Sequence, residues 1–165
     1  MAAKLADEIQ QDGPFSCLEQ EAFINVIRTA DAMIREFDAV TKAFGISAIH
    51  YNVLRILRRH RDTGCACKTI GESLVTRDPD VTRLLDRLED RGFITRSRYV
   101  GDRRVVTARI TPAGLKLVDD LEPSLLAMHQ RQLGYMGPRK LKSLILVMEK
   151  VRHVQERRLR GSRRR

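Results

Sequence analysis

The chain has 165 residues, of which 42% are hydrophobic, 5% aromatic and 32% charged, and its formal net charge is +10. This length fits one domain with or without a helical extension, and the abundant, patterned apolar residues exclude a disordered chain. No run of about 18 apolar residues occurs, so the sequence predicts no transmembrane helix and no membrane partner. The first 15 residues include acidic side chains and no apolar stretch. We therefore expect no secretory signal and a cytoplasmic protein.

The first half of the chain carries helical periodicity with clear end signals. Residues 1–16 are a polar extension, and a long helix is predicted over residues 18–44, with apolar side chains in two rows. Two rows predict packing on more than one partner. Gly45 ends this helix, and Ser47 is the predicted N-cap of a second helix that runs to about residue 60.

Two shorter helices follow, separated by a tight break. The first is predicted over residues 68–75. Asp78 as N-cap and Pro79 at the first helical position predict the second over residues 79–91. Gly92 ends it.

The period then changes, and residues 93–99 and 105–110, rich in β-branched and aromatic side chains, predict a β-hairpin. Thr111-Pro112 opens another long helix, and Gly137-Pro138 separates it from a last helix over residues 138–160. The predicted fold class is therefore mainly α with a small β-hairpin (α+β). Its order of elements is that of a winged helix-turn-helix with long N- and C-terminal helices.

Basic residues are concentrated in two segments. Residues 91–109 contain six arginines and one aspartate, and residues 152–165 contain seven arginines and one glutamate. Such clusters favour a polyanionic partner, nucleic acid first and an anionic membrane surface second. A basic RNA-binding or membrane-surface module stays open as an alternative, and in that case deletion of residues 157–165 would abolish binding.

The helix over residues 79–91 is the candidate for reading DNA. Arg83 and Arg87 lie four residues apart and share its outer face. Arg83 can offer a bidentate fork to guanine, and nearby hydroxyl and basic side chains can hold phosphates. The alternative is an ordinary amphipathic helix in which Asp86 and Asp90 neutralise the two arginines. The predicted DNA-binding residues in this region are Thr76, Arg77, Asp80, Thr82, Arg83 and Arg87.

The hairpin supplies a second candidate contact. Arg96 and Arg98 alternate along its first strand and so share one face. Arg103 and Arg104 lie at the predicted tip, where a narrow basic loop fits the minor groove. Asp102 is expected to pair with Arg104. All five residues are predicted to contribute to DNA binding.

Residues 70–121 contain the motifs Ile70-Gly71-Glu72, Asp80-Val81-Thr82-Arg83-Leu84-Leu85-Asp86-Arg87-Leu88-Glu89, Arg91-Gly92, Asp102-Arg103-Arg104 and Thr111-Pro112-Ala113-Gly114. With these motifs the stretch resembles the MarR family of transcription regulators, and the helix layout extends the resemblance over most of the chain. The resemblance implies a homodimer on palindromic double-stranded DNA, with the helix over residues 79–91 as recognition helix and the hairpin as wing. It also implies that Asp102 and Arg104 form the wing pair of the family, and that residues 17–46 and 112–160 are dimerisation helices. The DNA-binding domain is then residues 47–111, with a basic tail at 161–165.

We expect a repressor rather than an enzyme, because the sequence has no G-x-S-x-G, P-loop or dinucleotide motif. The resemblance further implies release from DNA by a small, often aromatic or phenolic, anion. Candidate effector-binding residues are Arg28, His50 and Tyr51. Core packing of Tyr51 and a solvated Arg28 are the alternatives.

The cysteines give a further alternative, a peroxide- or thiol-sensing regulator. Cys17 lies near the start of the long first helix, where a thiolate is favoured. Against this, no tyrosine precedes Tyr51 to support an oxidised Cys17. An odd number of cysteines predicts reduced thiols. Cys65-Ala66-Cys67 lacks a second ligand pair, so neither a metal nor a cofactor is expected.

Overall fold

The structure is a computed structural model that describes residues 5–76, 80–99 and 102–162, with residues 99, 102–104, 160 and 162 described by their backbone alone. It confirms a mainly helical chain with a small antiparallel sheet. Two units divide the chain, Met1–Leu125 and Leu126–Arg165. The elements in chain order are α1 (Leu5–Glu8), α2 (Leu18–Ala43), α3 (Ala48–Arg59), β1 (Cys65–Ala66), α4 (Cys67–Ser73), α5 (Val81–Asp90), β2 (Ile94–Tyr99), β3 (Asp102–Ile110), α6 (Pro112–Leu133), a 3₁₀ turn (Gly134–Met136) and α7 (Gly137–Ser162).

The junction between α2 and α3 forms as its local sequence predicts. Gly45 has a φ of 75° and donates its N–H to the Lys42 carbonyl at 2.9 Å, while Ile46 donates to the Thr41 carbonyl at 3.2 Å. These two bonds end α2 in a Schellman motif. The Ser47 hydroxyl then caps α3 by accepting the N–H of His50 at 3.4 Å.

The sheet has three strands rather than the two of the predicted hairpin. Its order is β1-β3-β2, with both pairs antiparallel. Cys65 and Ala66 of β1 pair with Ala108 and Thr107 of β3. Sequence patterning missed β1 because a two-residue strand has no period of its own and exists only through its pairing.

The second predicted strand also begins earlier than expected. Residues 102–104 were placed in the loop, but their backbone belongs to β3, and Tyr99 pairs with Asp102. The predicted loop residues Val100 and Gly101 lie outside the described residues. The second strand of the hairpin is therefore longer than its residue types suggested.

An aliphatic core joins α3, α4, α5, the sheet and α6 in the first unit. Three leucines of the ten-residue helix α5 are buried in this core. Their burial holds α5 in a fixed orientation. The largest side chains with less than 2% exposure include Leu54, Leu57, Ile70, Leu85, Leu88, Ile94 and Leu121.

The long helices leave apolar side chains uncovered within one chain. On α2, Phe23 is 65% exposed and Ile27 is 52% exposed. On α7, which belongs to the second unit, Ile145 and Val151 are also more than half exposed. The sequence predicted that the rows on α2 need a partner surface, and the described residues of one chain leave Phe23 and Ile27 uncovered.

Candidate nucleic-acid interface

The helix pair α4–α5 packs closely because of one small residue. A Cβ on Gly71 of α4 would lie 3.0 Å from the Cγ2 of Val81, the first residue of α5. A side chain at position 71 would therefore push the first turn of α5 away from α4. Gly71 thus sets the spacing of the helix-turn-helix.

The start of α5 differs from the prediction. The helix begins at Val81 rather than Pro79, and its N-cap is Asp80, whose Oδ1 accepts the N–H of Arg83 at 3.2 Å. Asp78, the predicted cap, and Pro79 lie outside the described residues. Asp80 was not identified as a cap from the sequence, although aspartate is a favoured N-cap residue.

The outer face of α5 is polar, as predicted. Leu84, Leu85 and Leu88 are buried, whereas Thr82, Arg83 and Arg87 are exposed. A ten-residue helix is about 15 Å long and fits a major groove about 12 Å wide. Thr76, in the turn before α5, is exposed too, and Arg77 lies outside the described residues.

Arg83 has a weak ionic partner at its own helix start. Its Nε lies 3.5 Å from Oδ2 of Asp80, and the two side chains are 76% and 50% exposed. Solvent screens such a pair, so it is worth little and can be exchanged for another anion. Asp80 thus caps α5 and at the same time positions Arg83, instead of Asp86 or Asp90 neutralising it.

Arg96 is held between β2 and α5. Its Nε donates to Oε2 of Glu89 at 2.7 Å, and its Nη2 lies 2.6 Å from Oδ1 of Asp86. The backbone N–H of Arg96 donates to Oε1 of Glu89, also at 2.7 Å. Hydrogen bonding by Glu89, and then by Asp86, raises the pKa of Arg96. Arg96 therefore joins the wing to the recognition helix, while Arg98 of the same strand is exposed.

Two more arginines of the basic segment 91–109 bind carbonyl groups of the protein itself. Arg91 donates to the Gly45 carbonyl at 2.7 Å and lies 4.8 Å from the centroid of the Phe93 ring. Arg109 donates to the Asp62 carbonyl at 2.8 Å. The charge count of this segment therefore overstates the charge offered to a polyanion, because Arg91, Arg96 and Arg109 have structural partners.

The base of the wing is tied to α6 through Thr111. Its hydroxyl donates to the Gly92 carbonyl at 2.7 Å and accepts the N–H of Gly114 at 3.1 Å, which confirms the predicted cap of α6. A Cβ on Gly114 would lie 2.3 Å from the Phe93 carbonyl oxygen, so no side chain fits there. The predicted tip residues Asp102, Arg103 and Arg104 are described by backbone alone, and the expected Asp102–Arg104 pair lies outside the described side chains.

The candidate effector residues do not form one cluster. The Nδ1 of His50 lies 2.8 Å from the Ser47 hydroxyl, and Tyr51 packs edge-on against Phe37 with 5.8 Å between ring centroids. Arg28 pairs with Glu8 of α1, with its Nε 3.7 Å from the Glu8 Oε2. Arg28 precedes Phe37 by nine residues, about 13 Å along α2. Arg28 is thus separated from the His50–Tyr51 region.

His50 has an unusual polar environment. Its Nε2 is buried and has no hydrogen-bond partner among the described residues. Burial lowers the pKa of His50, and the positive charges of Arg87 and Arg91 lower it further. Burial raises the pKa of Tyr51. Both shifts favour the neutral form, and His50 also lies near the basic end of α5.

The cysteines lie in three different environments. Cys17 occupies the N-cap position of α2, is exposed and makes no capping hydrogen bond. It lines an open cavity of 350 Å³ together with Pro14, Phe15 and residues of α1 and α2. Cys65 is buried and Cys67 partly so, and burial raises the pKa of both thiols.

The described residues contain no group of three His, Cys, Asp or Glu side chains that could hold a metal ion. Among the same residues, no helix has the length and apolar character needed to span a membrane. Together, α4, α5 and the β2–β3 hairpin form a winged helix-turn-helix. Proteins of this class present a helix and an adjacent hairpin to duplex DNA.

Comparison with known proteins identifies the family. The MarR family profile matches residues 46–106. A crystal structure of a MarR transcription factor from Planctomyces limnophilus is 43% identical, with a TM-score of 0.65 over 82% of this chain and 98% of that one. The chain belongs to the MarR family of transcription regulators, whose members bind DNA.

Two further proteins are similar to this chain, one in sequence and one in fold. The transcriptional regulator PecS of Dickeya dadantii is 28% identical over 121 residues, 70% of this chain and 73% of that protein. The regulator BpsR of Bordetella bronchiseptica, whose DNA binding is regulated by 6-hydroxynicotinic acid, has a TM-score of 0.70 at 21% identity. That match covers 79% of this chain and 98% of BpsR. PecS and the Planctomyces limnophilus protein are both transcription regulators.

Proposed function

We propose that the protein is a homodimeric repressor that reads a palindromic operator with α5 in the major groove and the β2–β3 hairpin in the adjacent minor groove. The observation that carries this proposal is the outer face of α5. Thr82, Arg83 and Arg87 are exposed on a helix whose opposite face is anchored in the core by three leucines. A firmly packed helix with a short row of exposed polar side chains is what direct base readout needs.

The wing supports the same reading. Arg98 is exposed on β2, and the backbone of Asp102, Arg103 and Arg104 continues the hairpin in β3. Arginines on a projecting hairpin favour a narrow minor groove, where the negative potential is strong. We assign base contacts to Arg83 and Arg87, phosphate contacts to Thr76, Arg77 and Thr82, and minor-groove contacts to the wing.

The exposed apolar rows of the long helices support the homodimer. Phe23 and Ile27 on α2 are each more than half exposed, and α7 carries a comparable row. Large apolar side chains grouped on a helix face mark a protein–protein contact. A two-fold dimer would place two copies of α5 about one turn of DNA apart, roughly 34 Å. A dimer that occupies its operator in this way represses by excluding other proteins from the DNA.

Selection of bound duplexes from a random DNA pool tests the proposal directly. We expect an inverted repeat whose half-site centres are separated by about 10 base pairs or a multiple of it. Sedimentation of the protein–DNA complex gives the stoichiometry, expected to be two chains per duplex. Failure to enrich a symmetric consensus at low salt, with folded protein, contradicts the proposal.

We further propose that a small aromatic anion releases the protein from DNA by binding near His50 and Tyr51. The support is the buried, unpartnered Nε2 of His50 beside Arg87 and Arg91, two cations near one end of the DNA-reading helix. An anion bound there would compete with DNA phosphates for these charges. BpsR provides the precedent within the family.

Titration of an operator complex with hydroxylated aromatic carboxylates tests the effector. Wild type should release DNA with a defined midpoint, and His50→Gln should raise that midpoint while operator affinity without ligand is retained. Cys17→Ser distinguishes release by the anion from release by thiol oxidation. If the anion is the effector, this variant should respond to it as wild type does. Release by peroxide that is lost in Cys17→Ser would favour the thiol-sensing alternative instead.

A further inference from the structure

The turn between α4 and α5 exposes an apolar side chain. Val75 is 76% exposed, although it directly follows the buried Leu74. Within residues 47–111, the other large apolar side chains that the structure describes are buried or partly covered, and the next most exposed is Val106 of β3, at 37%. Packing within the first unit therefore does not account for a valine at position 75.

The backbone explains why Val75 points outward. Leu74 ends α4 with a φ of −64° and a ψ of 142°, an extended conformation in which consecutive side chains point to opposite sides. Because Leu74 turns into the core, Val75 turns away from it, and Thr76 after it is exposed as well. The outward position of Val75 thus follows from the way in which α4 ends.

Val75 lies beside the N-terminal end of α5. Gly71 of α4 packs against Val81, the first residue of α5, since a Cβ on Gly71 would lie 3.0 Å from the Val81 Cγ2. Val75 follows Gly71 by four residues, so at most about 14 Å separates their Cα atoms. Arg83 is exposed in the first turn of α5, at this same end of the helix. Exposed valines are common on protein surfaces, but this one adjoins the turn of α5 that meets base edges in a helix-turn-helix.

An apolar side chain has one specific partner among the base edges of duplex DNA, the C5 methyl group of thymine. This methyl group lies in the major groove and is absent from the minor groove. Covering it removes apolar surface from water, which strengthens binding about fourfold for each methyl-sized group buried. The unmodified forms of adenine, guanine and cytosine carry no such group, so the contact selects a base instead of strengthening binding to every sequence.

We propose that Val75 is a specificity-determining residue that contacts the methyl group of one thymine in each half-site of the operator. This inference rests on the proposed operator binding by α5, but it adds a residue outside α5 and a base feature of a different kind. Arginine side chains such as Arg83 recognise hydrogen-bonding groups of a base, whereas Val75 recognises an apolar group. Because Val75 already points outward in one chain, the turn presents it to DNA without rearrangement.

Replacement of thymine by deoxyuridine tests this contact, because it removes the methyl group and keeps the hydrogen-bonding groups of the base pair. Each thymine of the selected operator is replaced in turn, in both half-sites together, and affinity is measured for wild type and for Val75→Ala. In wild type, replacement at one position should weaken binding about 15-fold, the product of about fourfold in each half-site. Val75→Ala should lose this sensitivity at that position and bind the thymine operator about 15-fold more weakly than wild type.

Val106→Ala is the matched control, since it removes the same two methyl groups from another exposed valine of the first unit. This variant should keep the full deoxyuridine penalty, because its hairpin is assigned to the minor groove, where no thymine methyl group is displayed. Neither valine belongs to the core, so both variants should fold. Circular dichroism and sedimentation verify that fold and assembly match those of wild type.

The outcomes separate this inference from the proposed function. If a symmetric operator is enriched but the deoxyuridine penalties are equal in wild type and Val75→Ala, the inference is overturned and the proposed function stands. A selected half-site without thymine, or loss of the penalty in Val106→Ala as well, overturns it in the same way. Altered assembly of Val75→Ala overturns it in favour of a protein–protein contact. If no symmetric operator is enriched, the proposed function fails and this inference fails with it.

Discussion

Glu89 binds Arg96 at both its backbone and its side chain. One carboxylate oxygen accepts the backbone N–H of Arg96 and the other accepts its Nε, both at 2.7 Å. Glu89 belongs to the last turn of α5, and Arg96 to the third position of β2. The recognition helix and the first strand of the wing are therefore held as one unit, with only the turn around Gly92 between them.

Replacing Glu89 with Gln should loosen this unit. The variant keeps the shape of the Glu89 side chain but loses the charge that holds the Arg96 guanidinium. The Arg96 side chain is only 23% exposed. Hydrogen bonds to charged groups contribute about 1.5–3 kcal/mol. We expect the free energy of unfolding to fall by about 1–3 kcal/mol, read by urea denaturation. Asp90→Asn, an exposed neighbour on α5, is the control and should change stability by less than about 0.5 kcal/mol. Equal losses in the two variants would show that the bond to Arg96 is not the cause.

Substitution of Arg83 tests direct readout by α5. Arg83→Ala removes a guanidinium that solvent exposes and that Asp80 only weakly engages. The cost on the best operator should be about 1–3 kcal/mol, together with a broader base preference at one position of each half-site. Competition binding with single-base operator variants measures both. Arg35→Ala, which removes an exposed, ion-paired arginine from α2, serves as control. An equal loss on random DNA would make Arg83 a phosphate contact.

Protonation of His50 should destabilise the fold. Its pKa lies below the ordinary value of 6.5, first because of burial and then because of Arg87 and Arg91. The unfolded chain therefore binds a proton at a pH where the folded chain does not. The stability that this residue contributes is fully present above pH 6.5 and is lost as the pH falls from 6.5 through the lower pKa of the folded state.

Urea denaturation between about pH 8 and pH 5 measures this dependence. His50→Gln should show a smaller loss of stability on acidification than wild type. His60→Gln, which removes an exposed histidine, provides the control. Identical slopes in all three proteins would contradict the assignment to His50.

A charge in the exposed row of α2 should prevent dimer formation. Ile27→Glu places a carboxylate on a residue that is 52% exposed in one chain. The protomer fold should remain intact, because Ile27 is outside the core of α3–α6. Sedimentation should then show monomers with a wild-type circular dichroism spectrum. Val75→Glu, at a residue that is 76% exposed in the turn before α5, is the control and should stay dimeric. Dimers in both variants would place the interface elsewhere.

Features set by neighbouring residues could be predicted from the sequence. The end of α2 at Gly45, the Ser47 cap and the Thr111 cap depend on bonds between residues at most five apart. The polar face of α5 followed equally from its period. These elements carry their own signal because the groups that stabilise them lie within one turn of helix.

Features that depend on contacts across the fold could not be predicted. β1 exists because Cys65 and Ala66 meet β3 about forty residues later, and no local pattern marks such a strand. The sequence predicted Arg96 as a DNA-binding cation of the hairpin. In the structure, the turn after α5 places Arg96 beside Glu89 and Asp86, which bind it. The basic character of a segment thus indicated its class of partner, but not which arginines remain available for it.

The contact of Thr111 and Gly114 with the carbonyls of Gly92 and Phe93 has a mechanical consequence. The first turn of α6 rests directly on the peptide units where α5 ends and the wing begins, with no space for a side chain at position 114. A tilt of the first turn of α6 must therefore move α5 and the β2–β3 hairpin with it. A displacement of α6 can thus reposition α5 and the hairpin together without changing their mutual arrangement.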